Sequence, residues 1–256
     1  MKEKRRTMRQ WLGRLVLSGS AVALTGCVGS RPPRIETAAM QRCRRATARP
    51  KIDGVVDRAW QRATLIDGFL VPGTGAPAQS HTVARLLWDN TNLYICYEAS
   101  DLDVWSHHRE HDSATYEEDV LEVFLKPGPN SDQYCNFEIN ALGTVYDAAI
   151  QREGFPMGPR WKAWNCEGLQ VGIRVLGSLN DGGDQDQGWV MEVAIPFASL
   201  PFCKGRPPVP GDEWLFHLGR YDYSLYLPTG CELSSCAPLT RPSFHNAKEW
   251  LRLRFE

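Results

Sequence analysis

The stretch SATYEEDVLEVFL, residues 113–125, sets one aromatic ring, Tyr116, beside the acids Glu117, Glu118, Asp119 and Glu122. In an extended chain, side chains two apart share a face. Tyr116, Glu118, Val120, Glu122 and Phe124 then stand together, opposite Leu121, Val123 and Leu125. On the next alternating segment Tyr134, Asn136, Glu138 and Asn140 oppose Cys135, Phe137 and Ile139. Two neighbouring strands would present carboxylates and amides with rings at the edge. Such a surface suits a hydroxyl-rich ligand, because a ring covers the apolar face of a sugar while acids, amides and arginine meet its hydroxyls. The bland counterpart is the wet side of an antiparallel sheet.

The same residues admit a second chemistry. Neighbouring strands lie about 4.8 Å apart, so facing Glu122 and Glu138 carboxyls approach the roughly 5–5.5 Å of a retaining glycoside hydrolase. That reading needs a sheltered carboxyl with a raised pKa. A third chemistry is metal binding by HHREHD, residues 107–112, where His107, His111 and Asp112 cluster; a solvated polar loop is its bland counterpart. No nucleophile-elbow sequence supports a Ser-His-Asp enzyme.

The elements that must position these residues are strands. Turn residues punctuate the chain at short intervals, and the segments between them alternate or run apolar. Strands are expected at 81–88, 93–99, 119–125, 133–140, 144–150, 169–175, 188–196, 213–223 and 250–255. Helical signals are confined to a turn capped by Asp57 and another at PFASL. The fold class is therefore all-β, an antiparallel β-sandwich with one or two short helical turns. Trp60, Trp189 and Trp214 read as core, whereas Trp161 and Trp164 sit in a loop that could line the site.

The amino terminus reads as an address. A basic head leads into LVLSGSAVAL and then Leu24-Thr25-Gly26-Cys27, the order of a secretory signal with a small-residue cleavage site. Residues 1–27 are expected to be a lipoprotein signal peptide, because they resemble a bacterial lipobox ending at a lipidated Cys27. Several acyl chains there would anchor the protein to a membrane. Val28 in place of an aspartate favours the outer membrane or cell surface over inner-membrane retention. Residues 28–49, rich in Arg and without hydrophobic period, read as a flexible tether, and 50–256 as one binding domain. From Lys51 onward, 17 basic residues face 28 acidic ones, a balance of −11. That charge repels phosphate backbones and excludes nucleic acid as a partner. Seven cysteines remain beyond Cys27, and only Cys231 and Cys236 make a locally plausible disulfide.

A wider pattern joins these pieces. The order ID-G-x-x-D-x-x-W (52–60), LLWDNTNLYICYEASD (86–101), YEEDVLEVFLKP (116–127), FEINALGTVYD (137–147), GWVMEVAIPFASL (188–200), PGDEW (210–214), Arg220 and SFH (243–245) resembles the family 9 carbohydrate-binding modules and their DOMON-like relatives. The resemblance implies a jelly-roll or immunoglobulin-like sandwich that binds oligo- or polysaccharides without cleaving them, in the best-known members at chain ends, with the terminal sugar between two aromatic rings. Tyr116 and Phe244 match the rings and Glu122 matches a hydroxyl-binding glutamate, with Asn140 and Arg220 as weaker supports. An arginine of the family is replaced by Glu138, an amide before the second ring has no match in Arg241-Pro242-Ser243, and His217 stands where relatives carry asparagine. The resemblance also implies structural calcium, for which Asp101 and Asp103 are candidates, and some DOMON relatives carry haem on a Met and a His, for which Met157 or Met191 with His217 or His245 are candidates that no spacing separates.

Overall fold

Segments of five to ten residues, rich in β-branched and aromatic side chains and cut by Gly, Asp, Asn and Pro, are too short to repay helix nucleation and suit a pleated, half-buried surface. A computed structural model describes residues 40–128, 130–150 and 164–256. Among them are twelve strands: β1 (Met40–Arg45), β2 (Thr64–Ile66), β3 (Thr82–Trp88), β4 (Asn92–Ser100), β5 (Val120–Lys126), β6 (Tyr134–Asn140), β7 (Val145–Ile150), β8 (Gln170–Leu176), β9 (Gly188–Pro196), β10 (Glu213–Asp222), β11 (Glu232–Ser235) and β12 (Leu251–Phe255). One layer runs β7-β6-β5-β10-β12 with β11 on β10; the other runs β3-β4-β9-β8 with β2 on β3. β1 lies parallel to both β12 and β3 and joins the layers, while the remaining pairs are antiparallel. This is the expected β-sandwich, with short 3-10 turns after Asp57 and at Phe197–Ser199. No helix among the described residues is long and apolar enough to cross a membrane.

All nine expected strands form, their ends shifted by no more than one residue. β1, β2 and β11 do not announce themselves in the sequence. β1 falls inside the segment expected to be tether, and Cys43 is its one buried residue. A single inward side chain makes no period; the strand is held by backbone pairing on both sides. Cys27 and the rest of the expected signal peptide lie outside the described residues.

Leu121, Val123 and Leu125 of β5 face Ile95 and Tyr97 of β4 and Met191 and Val193 of β9 in one continuous core. A smaller cluster covers the outside of the second layer, where Trp60 packs with Leu87, Tyr94, Cys96 and Val190. Gln170 and Arg174 of β8 and Glu192 of β9 lie in that second layer, separate from the strands that carry Glu122 and Glu138. The seven described cysteines are free, which corrects the Cys231–Cys236 pairing; the two flank β11, an element whose extended backbone holds them apart.

Candidate functional site

Register decides what surrounds Glu122. On the outer face of the first layer, Tyr146, Glu138, Glu122, Gly219 and Ser235 form one rung across β7, β6, β5, β10 and β11. The next rung carries Ala148, Asn136, Phe124 and His217. Glu122 and Glu138 are thus directly opposite, and both are buried. Asn136 Nδ2 donates to Glu138 Oε1 at 2.9 Å, and the Thr115 hydroxyl lies 3.4 Å from Oε2. Burial, reinforced by the Glu138 carboxylate, pushes Glu122 well above the usual carboxylate range.

The two expected rings sit differently. Tyr116 occupies a 3-10 turn, Thr115–Glu117, and is 44 % exposed. Phe244 is 3 % exposed and packs directly against Gly219, the residue paired with Glu122. It touches Phe124, His217 and Tyr221 at centroid distances of 6.3, 5.0 and 5.4 Å. Tyr221 stacks on Tyr223 at 6.5 Å, and the Tyr223 hydroxyl donates to the Tyr116 carbonyl at 2.9 Å. A row of aromatics therefore leads from Tyr116 to Phe244. Tyr221 and Tyr223 were legible by parity, since they share the face of Gly219, but nothing local showed that this face meets Glu122.

The other acids of the opening stretch hold loops. Glu118 accepts from the backbone of His107 and His108 and from Asn140 Nδ2 at 2.6 Å. Asn140 in turn accepts from Leu142 and Thr144, closing the β6–β7 turn, so it is engaged there and not beside Glu122. Asp119 accepts from Trp105 N and Tyr223 N, tying two loops together.

Arg220 points the other way. It alternates with Tyr221 and enters the sandwich, where it donates to Thr82 at 3.1 Å, the Ser100 carbonyl at 2.8 Å and Asp101 at 3.0 Å. It also lies 3.2 Å from Asp222. Asp101, Asp119 and Asp222 converge there with one guanidinium among three carboxylates, and neither Asp222 oxygen receives a hydrogen bond. Burial pushes Asp101 up to about 6 and Asp119 well above its ordinary range. An all-oxygen set two charges short of balance fits a hard divalent cation such as calcium. Asp103 is not part of it, since its carboxylate is taken by the Ser224 hydroxyl and Leu225 N.

The haem candidates do not meet. Met191 faces the sandwich interior, while His217 and His245 pack on the outer face against Phe124. Burial lowers His217 to about 3, which keeps it neutral. Met157 and Trp161 lie outside the described residues, and Trp164 packs edge-on against the core ring of Phe137 at 5.9 Å.

Comparison with known proteins decides the family. Residues 52–211 match the sequence model of carbohydrate family 9 binding domain-like proteins. The chain belongs to that family. Three solved structures share its fold. A candidate carbohydrate-binding protein from Bacteroides uniformis is 14 % identical with a TM-score of 0.65, covering 86 % of this chain and 100 % of its own. A family 9 carbohydrate-binding module from Caldicellulosiruptor kristjanssonii in complex with cellotriose is 15 % identical with a TM-score of 0.57, covering 84 % and 94 %. The same organism's module in complex with glucose is 15 % identical with a TM-score of 0.55, covering 84 % and 96 %. No curated protein matches the chain.

In this family 9-like domain the recurring motifs have structural work. In ID-G-x-x-D-x-x-W, Asp57 caps the 3-10 turn that carries Trp60, whose indole N–H donates to Glu192 at 2.6 Å. The same carboxylate accepts from Asp53 N and Gly54 N. Gly54 has φ +79°, and a Cβ there would stand 2.6 Å from the Ile173 carbonyl carbon, so only glycine fits. Trp214 of PGDEW meets Phe197 of the PFASL turn edge-on at 5.8 Å.

Proposed function

We propose that the protein binds saccharides without cleaving them, at the outer face of the first layer. Membership of the family and the cellotriose and glucose complexes of its fold neighbours support this reading. The observation that carries it is the rung of Glu138, Glu122 and Gly219, with Phe244 packed on Gly219 at one end and the turn of the exposed Tyr116 meeting Glu138 through Thr115 at the other. Tyr116 stacks on the apolar face of a terminal sugar, and Glu122 and Glu138 are the hydroxyl acceptors beneath it. Phe244 closes the far side; buried to 3 % exposure, it is not an open platform, so most stacking falls to Tyr116. Enclosure at one end favours chain ends over chain interiors. Calcium is held at Asp101, Asp119 and Asp222, where it ties the loop at 101–119 to the end of β10. Lipidation of Cys27 places the domain at the outer membrane or cell surface, where it concentrates polysaccharide for catabolism.

Calorimetric titration of the soluble domain with glucan oligosaccharides, before and after borohydride reduction of their ends, tests this. Heat with unreduced ends only, reduced by Tyr116→Ala, supports end recognition. Absence of heat with every oligosaccharide tried overturns saccharide binding. The sheltered Glu122–Glu138 pair favours one second reading, glycoside hydrolysis, and new reducing ends in the titrated mixture would establish it.

A further inference from the structure

The HHREHD segment meets a strand distant in sequence. Asp112 N donates to the Val145 carbonyl at 3.0 Å, which lays the end of this loop along β7. There His111 Nε2 faces three oxygens from three separate segments: Asn165 Oδ1 at 3.1 Å, Asp147 Oδ1 at 3.3 Å and Asp112 Oδ1 at 3.6 Å. The His111, Asp112 and Asp147 donor atoms all lie within 4.8 Å of one another. Asp147 is 1 % exposed; its Oδ2 is fixed by Cys166 N at 2.6 Å, while its buried Oδ1 receives no hydrogen bond and points at His111. Asp112 adopts φ +61°, a conformation uncommon for a non-glycine residue, and so turns its carboxylate inward.

A hydrogen bond does not explain this arrangement well. Nε2 carries at most one proton and can align it with one oxygen, not three. Charge-assisted N–H···O bonds run about 2.7–2.9 Å, shorter than every separation found here. A tetrahedral ion with ligands at about 2.0–2.1 Å sets them about 3.3–3.4 Å apart, and the observed separations bracket that edge. We propose that His111, Asp112 and Asp147, with Asn165 as fourth ligand, form a site for a divalent transition-metal cation. One imidazole with carboxylates suits zinc and its neighbours over calcium or magnesium, which prefer oxygen alone. Cys166 N, by fixing the second oxygen of Asp147, is the outer support that orients a ligand. His111 is 46 % exposed along its side chain and borders an open cleft of about 350 Å³ shared with Arg109 and Thr144, which gives the ion an entry path. The ion would staple the loop, β7 and the segment at 165 together.

Chelator-treated, tag-free protein should take up one zinc per chain in competition with a chromogenic chelator, and zinc should raise its melting temperature. His111→Ala and Asp147→Asn should each abolish uptake, with circular dichroism confirming that both variants are folded; His107→Ala should leave uptake intact. Calcium should not compete. No uptake by the wild type overturns the site, as does uptake that survives either His111→Ala or Asp147→Asn, or is lost in His107→Ala. A variant that does not fold is replaced by Asn165→Leu, which must weaken uptake for the site to stand.

Discussion

Phe244 rests on Gly219 so closely that a Cβ at that position would stand 2.7 Å from the ring's Cε2. Because Gly219 is paired with Glu122, this one contact fixes where the second ring stands relative to the acids. Gly219→Ala must displace the ring, and overpacking of this kind costs about 1–3 kcal/mol. Denaturant unfolding should show that loss, and calorimetry should show weaker saccharide binding even under conditions where the variant is fully folded.

Tyr116→Ala should separate binding from folding. The ring is half out in solvent, so stability should change by no more than about 0.5 kcal/mol. Saccharide affinity should fall roughly threefold to tenfold, the worth of one ring contact. An unchanged affinity would remove Tyr116 from the site.

Glu122 makes folding depend on pH. Burial and the Glu138 carboxylate raise it well above its ordinary value of 4.5. The native state then keeps a proton that the unfolded chain releases above that pH. Its contribution is complete below about 4.5 and is lost as the pH rises through the native value. Denaturation midpoints of the wild type should decline across that window, and Glu122→Gln should flatten the decline.

Calcium should raise the melting temperature of chelator-treated protein, by about 2.7 kcal/mol of stability at a hundredfold excess over its dissociation constant. Asp222→Asn should remove that increment, because neither Asp222 oxygen receives a hydrogen bond and both remain open to a cation. An equal shift in the variant would place calcium elsewhere.

Arg220→Met should cost on the order of 3–5 kcal/mol, since it leaves buried carboxylates without their guanidinium. Saccharide affinity of the folded fraction should hold, because Arg220 lies on the core side of β10. A selective loss of affinity without loss of stability would return Arg220 to the binding face.

Much of the fold was readable along the chain. Alternation and turn residues gave nine strands, and parity put Leu121, Val123 and Leu125 inward with Glu122 opposite, because a strand's period of two is a local property. β1 was not readable, since a strand held by pairing on both edges needs only one buried residue, Cys43. The acids of the opening stretch were visible, yet their division of labour was not. Glu118 and Asp119 tie loops, Glu122 faces Glu138, and only the partners of each carboxylate distinguish them.

What the residues determined alone was type and period: an acidic, aromatic-rimmed sandwich. What tertiary structure decided was every relationship between segments far apart in the chain. Phe244 reached Gly219, Arg220 turned inward to Asp101, and Asp147 met His111, because strand register and loop return paths are set by the packing of both layers together, and no local stretch encodes them.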